Sequence, residues 1–130
     1  MKRSEMREQA FFLAFENLFT ANDDLTQLIE LYSENVEQVC DYAIEVSNGI
    51  TENKDMLNQT INTYLKSWKF NRLPKVCIAI LYVAIYEIKF VDSVPVNVAI
   101  NEAVELAKKY ATNDDAAFIN GILGSVAKED

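Results

Sequence analysis

Histidine is missing from this chain of 130 residues, and glycine, proline and cysteine are scarce, at 3, 2 and 2. Without histidine there is no Ser-His-Asp or Cys-His catalysis and no His-ligated metal site. Cys40 and Cys77 stand alone and far apart, without zinc-ligand spacing, and read as small buried apolar residues rather than reactive thiols. No glycine-rich phosphate loop occurs, so neither a metal nor a cofactor is expected. So little Gly and Pro argues for long regular elements and against a turn-rich all-β fold. The longest apolar run, Val76 to Tyr86, falls short of the roughly 18 residues that suggest a membrane span. The charged N-terminus lacks a signal-peptide apolar core, and a cytoplasmic location is expected.

Half of the residues are hydrophobic, enough for one domain with its own core over residues 1–130. The formal charge is −8, which at first sight opposes binding to nucleic acid. Its distribution matters more than its sum. From Asp23 to Asp55 there are nine acids (Asp23, Asp24, Glu30, Glu34, Glu37, Asp41, Glu45, Glu52 and Asp55) against one base, Lys54, and the remainder is neutral. Within that remainder Lys66, Lys69, Arg72 and Lys75 form a run free of acids, and Lys2, Arg3 and Arg7 cluster at the N-terminus. The acidic segment should repel nucleic acid and leave the two basic clusters as the only surface open to a polyanion.

The apolar period is helical throughout. A first helix is expected over about 3–19, ended by Asn22-Asp23, with Ala10, Phe11, Ala14 and Leu18 inward. A second follows over about 24–33. A third covers about 36–48, with Val36, Val39, Cys40, Ala43, Ile44 and Val46 mostly inward and Gly49 as its stop. Thr51 can cap a fourth, to about Leu65, with Met56, Leu57, Ile61 and Tyr64 as its apolar set. Pro74 and Pro95 open the fifth and sixth. The fifth is apolar nearly all round from Val76 to Ile88 and should be the buried centre. The sixth turns Val96, Ile100, Ala103, Val104 and Ala107 inward. Asp114 or Asp115 caps the seventh, with Phe118, Ile119, Ile122, Leu123 and Val126. The class is all-α, a compact bundle of about seven helices.

Polar residues among apolar neighbours carry a choice between chemistry and architecture. Glu87 closes the apolar run of the fifth helix. It reads either as a general acid of raised pKa or as a carboxylate paired with Arg or Lys, or accepting backbone N–H bonds. With no His and no second positioned carboxylate, pairing is the expectation. Asn101, Glu102 and Asn120 are expected to cross-link helices in the same way.

Taken in order, these pieces form a pattern: Arg7 with Ala10, Trp68 with Arg72, Ala84-Ile85-Tyr86-Glu87, Pro95, Ile100-Asn101-Glu102-Ala103, Glu105-Leu106-Ala107-Lys108 and Phe118-Ile119-Asn120-Gly121. Each alone is weak, but the ordered set resembles the NusB family of bacterial transcription antitermination factors over nearly the whole chain. The resemblance implies two small helical subdomains and a binding module with no catalytic role. It implies single-stranded boxA RNA of ribosomal RNA transcripts as ligand and NusE, a small-subunit ribosomal protein, as partner. Both act within a transcription elongation complex. Lys2, Arg3, Arg7, Phe15 and Phe118 match family positions near RNA, where cations neutralise phosphates and aromatics stack unpaired bases. Core packing is the competing reading for both phenylalanines, and Lys66, Lys69, Arg72 and Lys75 are the next candidates. Tyr82, Cys77 and Ala117 stand where the family usually has Arg, an acid on the face that meets NusE, and Lys. The alternative function is a protein-interaction module that binds a basic partner through the acidic segment, without RNA. Monomer and homodimer both stay open.

Overall fold

The computed structural model describes residues 1–19, 25–66 and 69–129. Seven α-helices follow one another: α1 (Arg3–Asn17), α2 (Leu25–Asn35), α3 (Asp41–Glu52), α4 (Lys54–Tyr64), α5 (Lys75–Phe90), α6 (Val96–Tyr110) and α7 (Asn113–Ala127). A 3-10 turn, Phe70–Arg72, leads into α5. There is no strand among the described residues, as the helical period requires. Helices α1–α3 pack on one another and α5–α7 on one another, as two small helical subdomains; α4 touches α3, α5 and α7, and the two groups meet chiefly where α5 packs on α1 and α3.

The centre is α5. Every side chain from Cys77 to Ile85 is buried, and so is Glu87. A helix apolar on all faces is stable only when other helices cover all of them, and α1, α3, α4, α6 and α7 do so. Pro74 and Pro95 stand at the N-caps of α5 and α6 in extended backbone. There the missing N–H costs nothing, because the first turn has no intrahelical acceptor for it. The inner stripes of α1, α4 and α7 follow the period, with Phe11, Leu57, Ile61, Ile119 and Leu123 among the buried residues.

The structure corrects several local expectations. The third helix starts at Asp41 rather than Val36, and Val36 is 67% exposed. The cause lies in α1. The buried amide of Gln9 donates to the Gln38 carbonyl at 3.2 Å and to Glu37 Oε1 at 2.8 Å, and its Oε1 accepts the Cys40 N–H at 2.9 Å. These bonds hold the segment before α3 out of helical geometry. Gly49 does not stop α3 but lies within it, where the Tyr86 ring occupies the space a side chain would need. Thr51 is also inside α3 and donates to the Ser47 carbonyl at 3.0 Å, while Asn53 caps α4. The N-cap of α7 is Thr112, whose hydroxyl accepts the Asp115 N–H at 3.0 Å. Val96 is 40% exposed rather than inward. The expected stop at Asn22-Asp23 and the Trp68 of the family pattern lie outside the described residues.

Candidate nucleic-acid interface

The basic residues divide into two places. At one end of α1, Lys2 and Arg3 are exposed. The Arg3 guanidinium lies 4.2 Å from the centre of the Tyr42 ring, which orients the group and leaves its charge facing water. Arg7, one turn further on, is 2% exposed. Its Nε–H donates to both oxygens of Glu87, at 2.7 and 3.0 Å, and its Nη1 lies 3.1 Å from Glu102 Oε1. Two carboxylates neutralise it inside the protein, so Arg7 does not belong to the phosphate-facing surface; it is the internal partner of Glu87. Glu87 and Glu102 thus lie against one guanidinium from two different helices. Asn101 and Asn120 are both exposed.

Between α1 and α6 lies a cleft of about 520 Å³. Lys109 Nζ and the Tyr110 hydroxyl both reach Glu8 there, at 2.9 Å each. Burial pushes the Glu8 carboxyl up, and the hydrogen bonds from Lys109 and Tyr110 outweigh it, so its pKa falls below the ordinary value. These internal pairs spend the lysine charge that phosphate binding would need.

The second basic place follows α4. Lys66, Lys69 and Arg72 are exposed, and no ion pair among the described residues engages them. Phe118, on the first turns of α7, is half-buried and borders two cavities. One, of about 320 Å³, is shared with Tyr64, Lys66 and Gly121. The other, of about 260 Å³, is shared with Leu73, Asp114 and Asp115. The structure therefore groups Phe118 with Lys66, the first cation of that run. Composition flagged those cations, but the sequence did not reveal that Tyr64 joins them. It reads as part of the apolar set of α4, and only its position two residues before Lys66 hints at a surface role.

Phe15 sits elsewhere, in an aromatic groove of about 620 Å³ lined by Phe11, Phe12, Phe19, Pro74, Val76 and Tyr110. Its ring stacks on Phe11 at 6.1 Å and meets Phe19 edge-on at 5.0 Å. Phe19 is 60% exposed, and Lys75 Nζ lies 5.6 Å over its ring. An apolar groove this open suits a protein partner better than a polyanion. Cys77 and Tyr82 are buried within α5. Burial, then the neighbouring Asp115, pushes the Cys77 thiol up to about 12, which leaves it unreactive. The Tyr82 hydroxyl donates to Asn58.

The acids of α2 to α4 (Glu30, Glu34, Glu37, Asp41, Glu45, Glu52 and Asp55) are all exposed. Among the described residues no helix is long and apolar enough to cross a membrane, and no cluster of potential ligands is placed to hold a metal.

Comparison with known proteins places these features in one context. A model described as the NusB family matches residues 4–128. The chain is 40% identical to a transcription antitermination protein NusB of Agathobacter rectalis, over 98% of this chain and 100% of the relative. It is 37% identical to that of Clostridium novyi, over 98% and 99%. Among solved structures, NusB of T. maritima superposes with a TM-score of 0.89 at 36% identity, covering 99% of this chain and 92% of the other. A chain from a crystal structure of antitermination factors NusB and NusE with dsRNA shares the fold, with a TM-score of 0.88 at 21% identity over 98% and 97%.

Proposed function

The chain belongs to the NusB family, and from that premise we propose that it is a transcription antitermination factor that binds single-stranded boxA RNA together with NusE. The observation that carries the RNA part is the meeting of Phe118 with Lys66 at one cavity. A half-exposed ring supplies a stacking face, and the unpaired Lys66 beside it supplies a phosphate contact, with Lys69 and Arg72 following in the chain. Lys2 and Arg3 add a second phosphate-binding place at the start of α1. NusE docks in the Phe11–Phe15–Phe19 groove. Support for this placement is the groove's open aromatic lining, rimmed by the single cation Lys75.

The chain acts as a single RNA-binding domain in the cytoplasm and catalyses nothing. Among the described residues the one fully buried carboxylate, Glu87, is held by Arg7 and by the Tyr42 hydroxyl. The test is binding of labelled boxA RNA with and without NusE at two salt concentrations. The expected result is weak, salt-sensitive binding alone and tight binding with NusE; no binding in either case would overturn the reading.

A second reading rests on the exposed acids of α2 to α4, which would take a basic protein partner without RNA. Charge reversal at Glu34, Asp41 and Glu45 separates the two. Under the first reading, non-specific RNA binding rises because long-range repulsion is relieved. Under the second, RNA binding stays put and capture of a basic protein is lost.

A further inference from the structure

Arg3 is exposed at the start of α1, yet its guanidinium has a fixed seat. The group lies 4.2 Å from the centre of the Tyr42 ring, within the range of a cation resting on a π-face. That ring belongs to the first turn of α3 and is half-buried. Its hydroxyl donates to Glu87 of α5, the carboxylate that also takes the Arg7 Nε–H at 2.7 Å. The far end of the Tyr42 side chain is thus fastened to the buried ion pair, while its face carries a surface cation. No ion pair among the described residues engages Arg3.

We propose that Tyr42 is a positioning residue for RNA binding: its ring holds the Arg3 guanidinium ready for one phosphate of the strand, and Glu87 holds the ring. The inference rests on the RNA-binding reading above and adds the residue that sets one of its contacts. A guanidinium over a ring keeps its in-plane N–H donors free, and a phosphate can take two of them in parallel. An arginine that is free beforehand loses rotamer freedom when a phosphate fixes it, and one already seated loses less. The other cations that lie over rings are otherwise engaged. Lys109, over Tyr110, is paired with Glu8. Lys75, over Phe19, rims the aromatic groove assigned above to NusE. Among the described residues Arg3 is therefore the one cation that lies over a ring, free of carboxylates and outside that groove.

Two substitutions separate the ring from the hydroxyl. Tyr42→Leu and Tyr42→Phe both lose the bond to Glu87, but only Tyr42→Phe keeps a ring under Arg3. With NusE present, both are titrated with labelled single-stranded boxA RNA over a range of salt, beside the parent, Arg3→Lys, Arg3→Ala and the doubles of Arg3→Ala with each Tyr42 variant. Tyr42→Leu should bind about two- to tenfold more weakly than the parent, the cost of ordering one free side chain. Its salt slope should stay the same, because Arg3 keeps its charge. Tyr42→Phe should recover most of the loss. Arg3→Lys, which keeps the charge and removes the planar fork, should lose affinity at unchanged slope. In the Arg3→Ala background the two Tyr42 variants should bind alike. A Tyr42→Leu loss that persists in that background would make the role of Tyr42 merely structural and overturn the proposal. Equal binding by Tyr42→Leu and Tyr42→Phe would overturn it too, as would a Tyr42→Leu defect in NusE binding without RNA. Arg3→Lys touches no buried group, so parental affinity in that variant overturns the proposal even where Tyr42→Leu does not fold. In each of these cases the RNA-binding reading stands, whereas a parent that binds no RNA overturns both.

Discussion

Arg7 and Glu87 form an ion pair in the interior between α1 and α5, with the Arg7 Nε–H shared by both Glu87 oxygens at 2.7 and 3.0 Å and the carboxylate fully buried. The Tyr42 hydroxyl of α3 donates to the same carboxylate, so one group ties three helices. Burial and the Glu87 contact push the Tyr42 hydroxyl well above its ordinary pKa, and it stays a donor at any physiological pH. Removing one member leaves the other charged and without its partner. Arg7→Ala and Glu87→Ala should each cost about 3–5 kcal/mol of folding stability. Denaturant unfolding measures this directly, and midpoints equal to the parent's would show that the pair is not structural.

Ile80 and Leu81 have no exposed surface. Replacing either by Ala deletes methyl groups from a helix covered on all sides and should cost about 2–5 kcal/mol. A melt unchanged by both substitutions would displace α5 from the centre of the core.

Gly49 and Tyr86 show why glycine sits inside α3. Any Cβ at Gly49 would overlap the outer atoms of the Tyr86 ring, so Gly49→Ala must push the ring off its site and away from Phe90, on which it lies at 5.1 Å. The expected cost is about 1–3 kcal/mol, as for other overpacked interiors. The double variant with Tyr86→Ala should recover part of it. Strict additivity of the two substitutions in a double-mutant cycle would refute the contact.

The sequence made legible what depends on period alone. The apolar stretch from Val76 to Ile88, covered on every side, located the core helix, and the prolines at 74 and 95 located two helix starts. What it hid depends on contacts between residues far apart. Gln9 binds backbone at 38 and 40, and nothing in the local pattern of Val36 to Cys40 betrays this. Gly49 imitates a helix stop because its real neighbour is 37 positions away. Arg7 imitates a surface cation because its partner is 80 positions away in the chain. The candidate site was half legible for the same reason. The acid-free run from Lys66 to Lys75 shows in composition, whereas its meeting with Phe118 and Gly121 is a product of packing between α4 and α7.

Two carboxylates titrate below their ordinary value of 4.5: Glu8, through Lys109 and Tyr110 against its own burial, and Glu129, through Lys89 and then Tyr64. A depressed folded-state pKa means stabilisation that is fully present above the unfolded value and lost as pH falls through the folded one. Both pairs lie at the surface, with partners open to solvent screening, so the effect is small. Glu8→Gln should therefore lower the unfolding midpoint slightly near neutral pH and not at all well below pH 4.5. A difference that persists into acid would mean that Glu8 acts through packing rather than charge.

The salt dependence of RNA binding decides which cations face phosphates. Each contact with a single strand contributes roughly −0.7 to the log–log slope. Lys2, Arg3, Lys66, Lys69 and Arg72 are exposed, so the parent bound to boxA RNA with NusE should show their combined effect, about −3.5 from this chain. Lys2 and Arg3 lie at the start of α1, whereas Lys66, Lys69 and Arg72 follow α4, with Lys66 bordering α7. Loss of one cluster should thus leave the other's contribution intact. The double variant Lys2→Ala, Arg3→Ala should flatten the slope by about 1.4, and the triple variant Lys66→Ala, Lys69→Ala, Arg72→Ala by about 2.1. Arg7→Ala should not flatten it, because Glu87 and Glu102 already neutralise that guanidinium. Phe118→Ala should cost about 1–3 kcal/mol of binding through lost stacking, at unchanged slope. Phosphates carry no sequence, so the cation variants should weaken boxA and unrelated RNA alike, while Phe118→Ala acts through a base. If Arg7→Ala flattens the slope while the protein stays folded, the buried pair opens on binding and Arg7 returns to the RNA surface; if neither multiple variant moves the slope, RNA binds outside both clusters.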